Sequence, residues 1–386
     1  MELIHGLISK LKIILFTITL LLNGCFFKSE EAVLIDTLKN KYANLKVNQG
    51  HKDQVIASIE ALSKDKKLRD HLPLYQSLIQ KMGDGHLVLN EKREFKEDYF
   101  QVELKIQKKV FAKVPGEVEF KEVLEVDSIP VEKWVEEHSH HVSASSIHGK
   151  RYRTLKMIES RNEGLFDVGR LGLNDKSSLQ IEKKKRPSRP ACITGYPFDE
   201  SIYVIKVNSF WCEGKSDKRE DIFNNFKIAL DRQVEVADFY EKIILDLRDN
   251  GGGADQEVRY LLGHFISKKA FLYSYQFVGK EKITEFIEPL PASLGEKPIT
   301  VLINGGCFSA CEVVAGVLKD AESRNLVGER THGGAGDPLK TEFSNSILTY
   351  PSCLVWRQNG SLYEGVGVMP TVMGESNSLK RASLLD

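Results

Sequence analysis

A strand, Ile299-Thr300-Val301-Leu302-Ile303-Asn304, runs through Gly305-Gly306-Cys307-Phe308 directly into a helical stretch opening Ser309-Ala310-Cys311-Glu312. It is one unit of an alternation that fills the chain from residue 202 onward. A strand over Ile202 to Phe210 precedes a helix over Glu220 to Val234, and a strand over Lys242 to Leu247 precedes a helix over Asp255 to Ile266. Ile299 to Ile303, the helix after Ser309 and a strand near Leu326-Val327-Gly328 continue it. This alternation predicts a largely parallel sheet covered by helices, an α/β core. At Ser309 a hydroxyl is presented on a sharp turn at a helix N-terminus, where unsatisfied N–H groups and the helix dipole favour a negative oxygen forming beside it. Taken alone, a serine there is most often an N-cap.

Ahead of the core the pattern changes twice. Residues 26–95 carry helical periodicity, with Val33, Leu34, Leu38, Tyr42 and Leu45, then Val55, Ile56, Ile59 and Leu62, then Leu72, Leu74, Leu78 and Ile79. Residues 96–190 switch to short period-two runs, Phe100 to Ile106 and Phe120 to Val126, divided by Pro115-Gly116, which predicts a small β-rich insert. Lys183-Lys184-Lys185-Arg186-Pro187-Ser188-Arg189-Pro190 breaks all periodicity and reads as a solvated loop or linker before a core of residues 191–386.

Residues 1–25 stand apart. Lys10 and Lys12 precede the apolar run Ile13 to Leu22, which is too short to span a bilayer and of the length of a signal-peptide core. The ending Leu22-Asn23-Gly24-Cys25 resembles the bacterial lipobox, which implies an acylated Cys25 and an exported lipoprotein anchored to a membrane of the cell envelope, facing the periplasm or the cell surface. Export to an oxidising compartment would allow Cys192, Cys212, Cys307, Cys311 and Cys353 to pair, and their odd number leaves at least one free. Cys192 and Cys212 flank an expected hairpin around Tyr203 to Val207 and are the preferred pair. With 54 basic residues against 54 acidic, the charge gives no field to draw nucleic acid.

The block Lys242-Ile243-Ile244-Leu245-Asp246-Leu247-Arg248-Asp249-Asn250-Gly251-Gly252-Gly253-Ala254 is an apolar strand ending in asparagine and three glycines. Without Cβ atoms in the way, backbone N–H groups there can approach an anion. The block lacks both nucleotide-loop glycine patterns, so no nucleotide and no other cofactor is expected.

Leu245 to Gly253, read as Leu-Asp-Leu-Arg-x-Asn-x-Gly-Gly, with Ser309 to Glu312 as Ser-Ala-x-Glu, resembles the tail-specific (carboxyl-terminal processing) and tricorn-type serine peptidases. The likeness extends through Ala315-Gly316, Leu326 to Thr331 and Glu364-Gly365-Val366-Gly367-Val368-Met369-Pro370, covering about the last half of the chain. It implies a Clp-protease/crotonase-like α/β core and a serine endopeptidase that forms an acyl-enzyme at Ser309 on a protein or peptide substrate. The oxyanion hole would be the N–H of Ala310 and that of Gly252 rather than Gly251. One branch of the family takes its base from a lysine after the Val-Gly-Glu strand, where this chain has Thr331-His332-Gly333-Gly334, with Gly334 at the lysine position.

The tricorn-like branch places a histidine in a segment resembling Met82-Gly83-Asp84-Gly85-His86, which makes His86 the expected general base, with Glu364 orienting it. An imidazole of ordinary pKa, about 6.5, predicts a rate midpoint near neutral pH. His332 is the alternative base, and Lys340 a distant one. His138, His140, His141 and His148 lie in a polar stretch without metal-ligand spacing, so no metal site is expected. Cys311 takes the place of a small packed residue. The segment Glu122 to Trp134 is similar to the end of a PDZ-like module, which implies a degenerate peptide-binding insert. The rival expectation is a catalytically inactive homologue that binds peptide or lipid.

Overall fold

The structure, a computed structural model, describes residues 28–92, 98–100, 102–113, 119–159, 168–181, 183–185, 191–214, 216, 218–291, 293–374 and 378–385. The expected signal segment with Cys25, the Pro115-Gly116 divider and residues 186–190 of the expected loop lie outside the described residues.

Three helices open the chain: α1 (Glu30–Asn40), α2 (Gln49–Asp65) and α3 (Leu72–Lys81). The Ser29 hydroxyl accepts the Ala32 N–H at 3.2 Å to start α1, and Pro73 sits in the first turn of α3, where its missing N–H costs nothing. Leu34, Leu38, Val55, Ile56, Ile59, Tyr75 and Ile79 face inward and close against Phe343, Leu348 and Tyr350 from far along the chain. Each such side chain contributes about 1.5–3 kcal/mol on burial, so the helices are docked on the core rather than trailing from it.

The next strands are β1 (Val88–Glu91), β2 (Asp98–Phe100), β3 (Glu103–Ile106), β4 (Val110–Lys113), β5 (Phe120–Val126) and β6 (Ile129–Pro130). Helices α4 (Val131–His138) and α5 (Ile147–Lys156) follow, then β7 (Arg170–Leu173), β8 (Ser178–Gln180) and β9 (Lys183–Lys185). An antiparallel sheet in the order β3-β4-β5-β7-β8 carries its own core of Leu104, Val110, Val123, Val126, Trp134, Leu155 and Leu171. One expectation is corrected here: Lys183 to Lys185, read as loop, pairs antiparallel with β2. Strand pairing is made by main-chain groups, and lysine is common on edge strands, so a periodicity test misses such a run.

The core continues with β10 (Ile193–Pro197), β11 (Ile202–Val207), α6 (Arg219–Ala237), β12 (Lys242–Asp246), α7 (Asp255–Phe265), β13 (Ala270–Phe277) and β14 (Ile283–Ile287). Next come β15 (Ile299–Ile303), α8 (Ala310–Asp320), β16 (Asn325–Gly328), β17 (Pro338–Glu342), β18 (Ser346–Pro351), β19 (Cys353–Trp356), β20 (Val372–Met373) and α9 (Ser378–Ser383). The main sheet runs β10-β11-β12-β15-β16-β20, with β10 antiparallel to β11 and every other neighbour parallel. Alternate residues serve the two faces: Ile205, Leu245, Val301 and Ile303 pack with Phe226, Leu261 and Val314 of the helices, while Val204, Ile244, Leu302 and Val327 pack toward Ala382 of α9. Two further antiparallel sheets, β14-β13-β19 and β1-β18-β17, flank this core and have no counterpart in the sequence reading. Strands β12 and β15 are neighbours in register, Asp246 opposite Leu302, so the glycine block and the serine turn leave the same sheet edge side by side. Ligands of open parallel sheets bind at that edge.

Candidate active site

Ser309 stands between β15 and α8 with φ 58° and ψ −122°, a backbone conformation that non-glycine residues avoid and that persists only where the surroundings hold it. Its N–H donates to the Gly334 carbonyl at 3.0 Å and faces the Glu312 carboxylate at 3.3 Å. The preceding Phe308 N–H donates to the Asn250 carbonyl, and the His332 N–H to the Cys307 carbonyl, each at 3.0 Å. Cys307 and Cys311 are joined as a disulfide across Ser309. This corrects the expectation that Cys311 serves as a small packed residue: the strand-to-helix turn brings the two Cα atoms to 5.4 Å, within bridging range. Cys192 is joined to Cys212, and Cys353 is a buried free thiol.

His86 lies on the loop leaving α3, and its Nε2 is 3.0 Å from the Ser309 Oγ. Asp84 fixes this loop, because its Oδ1 accepts the His86 N–H while its Oδ2 accepts the Tyr42 hydroxyl and the Asn44 amide, each at 2.8 Å. The Ser145 hydroxyl accepts the Gly85 N–H, and the Arg153 guanidinium donates to the carbonyls of Gly85 and Ser143. Phe308 stacks on the His86 ring with centroids 4.3 Å apart and carries Arg153 4.7 Å from its own centroid. Burial first, and the Arg153 charge second, push the His86 imidazole down to about 4, against an opposing pull from Asp84. The neutral-pH midpoint expected of an ordinary histidine therefore moves to lower pH, because desolvation penalises the imidazolium.

Glu364 is buried on the loop following β19, and its Oε2 and the His86 Nδ1 are both buried without a hydrogen-bond partner. Ligand-type atoms of Asp84, His86 and Glu364 all lie within 4.8 Å of one another. A small cation needs such spacing, but both Asp84 oxygens are already engaged by donors, and Lys52 and Arg153 bring positive charge to the same carboxylates. Burial first, then the Asp84 charge, hold the Glu364 carboxyl well above the usual carboxylate range.

His332 has its Nδ1 3.4 Å from the Gly305 carbonyl and lies edge-on to Phe308, centroids 4.5 Å apart. Burial pushes its pKa well below the ordinary value. Lys340 is exposed on β17. A Cβ on Gly334 would come within 2.8 Å of the Phe308 ring and 2.9 Å of the Ser145 hydroxyl, so the position that holds lysine in the other branch is filled here by these two side chains. His138 closes α4, with its Nδ1 2.7 Å from the Trp134 carbonyl and its ring stacked on Trp134, while His140 and His148 are exposed.

Sequence reasoning passed over Glu312 as more than a motif letter. It is fully buried and accepts the N–H groups of Ser309, Gly333 and Gly334 and the Thr331 hydroxyl, tying the serine turn to the 331–334 loop. Burial pushes its carboxyl up to about 7 against those four donors. The spacing Ser309 to Glu312, that of a capping box, was the available signal. Asn44 and Arg153 carried none, since each acts through partners distant in sequence, and Asp84 carried only its place in the segment read for His86.

On the anion side, the Ala310 N–H belongs to the first turn of α8, whose N–H groups have no intrahelical acceptor. Gly252 has φ +99°, and a Cβ there would lie 2.8 Å from the Phe308 carbonyl and 3.1 Å from the Ala310 nitrogen, so only glycine keeps that space open. The Gly252 N–H donates to the Asn250 side chain at 2.8 Å, and the Asn250 amide donates to the Val207 carbonyl. A cleft of about 810 Å³ opens over Ser309 and Ala310, walled by Trp211, Tyr273, Tyr275, Phe277, Val313 and Val355. Its size suits an extended peptide segment with apolar side chains.

Residues 201–373 match the family model Peptidase family S41. They form an S41 peptidase core. The S41 match is supported by a "Carboxy-terminal-processing protease" of Bartonella bacilliformis, 30% identical over 183 residues, which are 45% of this chain and 42% of that protein. A "Probable CtpA-like serine protease" of Staphylococcus aureus is 30% identical over 175 residues, 44% of this chain and 33% of the other. The chain therefore spans less than half the length of these curated relatives. Mature CPAF complexed with lactacystin shares the fold with a TM-score of 0.66 at 16% identity, over 89% of this chain and 92% of that one. The photosystem II D1 C-terminal processing protease gives 0.54 at 17% identity, over 90% and 94% of the two chains. No helix among the described residues is long and apolar enough to cross a membrane.

Proposed function

We propose that this protein is a serine endopeptidase of the carboxyl-terminal processing type that works through an acyl-enzyme at Ser309 with His86 as general base. The observation that carries the reading is the 3.0 Å approach of His86 Nε2 to Ser309 Oγ, between residues 223 positions apart. Ser309 Oγ attacks the scissile carbonyl carbon and passes its proton to His86 Nε2. The oxygen that becomes negative faces the Ala310 N–H at the start of α8, with the Gly252 loop as the second wall of the oxyanion hole. His86 then gives the proton to the departing amine, and water repeats the sequence to release the acid. Glu364 is the neighbour that would accept a hydrogen bond from the Nδ1–H of His86 when substrate fills the cleft. His332, whose ring lies against Phe308 and makes no contact with Ser309 Oγ among the described hydrogen bonds, is left as a packing residue.

The rest of the placement follows the same reading. An acylated Cys25 would hold the protein on the outer side of a bacterial membrane, and the paired Cys192–Cys212 and Cys307–Cys311 suit an oxidising compartment. The helical segment of residues 26–95 and the β-rich insert of residues 96–190 frame the S41 core, the insert serving as a peptide-docking surface. An active-site serine phosphonate should label the wild-type protein and not Ser309→Ala. Absence of label on the wild type, together with peptide binding without turnover, would show an inactive binding relative instead.

A further inference from the structure

The site holds two buried carboxyl groups beside one imidazole, and they are not equivalent. Asp84 accepts three donors on its two oxygens: the His86 N–H on its own loop, and the Tyr42 hydroxyl and Asn44 amide from the N-terminal helical segment. That saturation is the pattern of an ionised carboxylate. The segment supplying the donors is itself braced, since Lys52 of α2 donates to the Asn44 carbonyl at 2.7 Å and lies 5.1 Å from the Tyr42 ring centroid. Glu364, by contrast, is hydrogen-bonded by Ser145 and leaves its Oε2 buried with no donor, next to the Asp84 charge. Two carboxyl groups so close do not both ionise when one is already fixed as an anion.

The groups facing His86 come from several elements: Asp84 on its own loop, Glu364 on the loop after β19, Arg153 on α5, His332 on the loop after β16 and Ser309 ahead of α8. Lys52 of α2 and Glu312 of α8 stand behind them, facing Glu364. Of the anionic candidates in contact range, only Asp84 has its charge held by three donors.

We propose that Asp84 supplies the fixed negative charge that steadies the imidazolium of His86 during the reaction, its place set by Tyr42 and Asn44, while Glu364 acts as a neutral hydrogen-bond partner of the ring. Asp84 is thus a positioning residue acting through His86, and the N-terminal helices are a working part of the site. This rests on the peptidase reading above.

The test compares Asp84→Asn with Glu364→Gln in the otherwise complete protein, each isosteric and each replacing one carboxyl oxygen by an NH2 group, which at residue 84 also turns a donor toward a donor and makes a thermal-stability control necessary. With a charge within about 5 Å of the ring at stake, kcat of Asp84→Asn should fall on the order of 100-fold with KM little changed. Glu364→Gln, an amide in place of a neutral acid, should fall by about tenfold or less. In the adduct with a peptidyl trifluoromethyl ketone, which traps the imidazolium, the His86 titration midpoint should drop by about two pH units in Asp84→Asn and stay near the wild-type value in Glu364→Gln. Tyr42→Phe, which removes one of three donors and is a mild change for folding, should lower kcat by about fivefold at unchanged KM. The reverse ranking, or an Asp84→Asn protein that loses thermal stability but keeps its kcat and adduct midpoint, overturns the inference while the peptidase reading stands. A wild type that neither turns over peptide nor forms the adduct overturns both.

Discussion

The depressed basicity of His86 gives the sharpest measurement. Burial and Arg153 push the imidazole from its ordinary value of about 6.5 down to about 4, against the pull of Asp84. The base must be neutral to accept the Ser309 proton, so kcat/KM should be flat above about pH 5 and fall as pH drops through about 4. At pH 5.5 an imidazole of pKa about 4 is about 97% neutral, whereas one of pKa about 6.5 is about 9% neutral, a tenfold contrast in rate relative to the plateau. A fluorogenic peptide assayed from pH 3 to pH 8, with recovery checked at pH 8 after each exposure, reads this directly. Phe308→Ala removes the ring stacked on His86 and admits water, so its acid limb should move up toward pH 6.5. A wild-type midpoint near 6.5, or one that Phe308→Ala leaves in place, would refute the claim that desolvation sets the basicity of this residue.

Two further outcomes follow from geometry. Gly252→Ala forces a Cβ to 2.8 Å from the Phe308 carbonyl at a φ of +99°, so kcat/KM should drop about 100-fold or more, with far-ultraviolet circular dichroism unchanged; retention of full activity would remove Gly252 from the site. A soluble form starting after residue 27, denatured without reductant, should show one titratable thiol, Cys353, and five after reduction; three before reduction, with Cys307 and Cys311 among the labelled residues on peptide mapping, would exclude the Cys307–Cys311 bridge.

The core strands were legible because a strand buried on both faces must be apolar along its whole length. Ile299 to Ile303 and Lys242 to Asp246 therefore declared themselves, as did the helices between them. The sheets built from Ala270 to Ile287 and from Pro338 to Trp356 did not, since half-exposed strands mix aromatic, charged and polar residues and take their register from partners far away. Lys183 to Lys185 failed for the same reason, being a strand by main-chain pairing alone. The bridge across Ser309 was hidden because half-cystine spacing says nothing until the turn angle is known.

By itself the sequence determined the chemistry on offer: a serine at a helix N-terminus, a glycine loop with room for an anion, a histidine after a glycine, and no lysine at residue 334. Those are local properties, set by backbone freedom, helix ends and side-chain type. Which groups meet was decided only by tertiary structure. The docking of the first helices against Phe343 and Leu348 carries Asp84 and His86 across to Ser309, and it buries His86 deeply enough to weaken its hold on a proton. Distance and desolvation are properties of the folded solid, and no pattern along the chain encodes either.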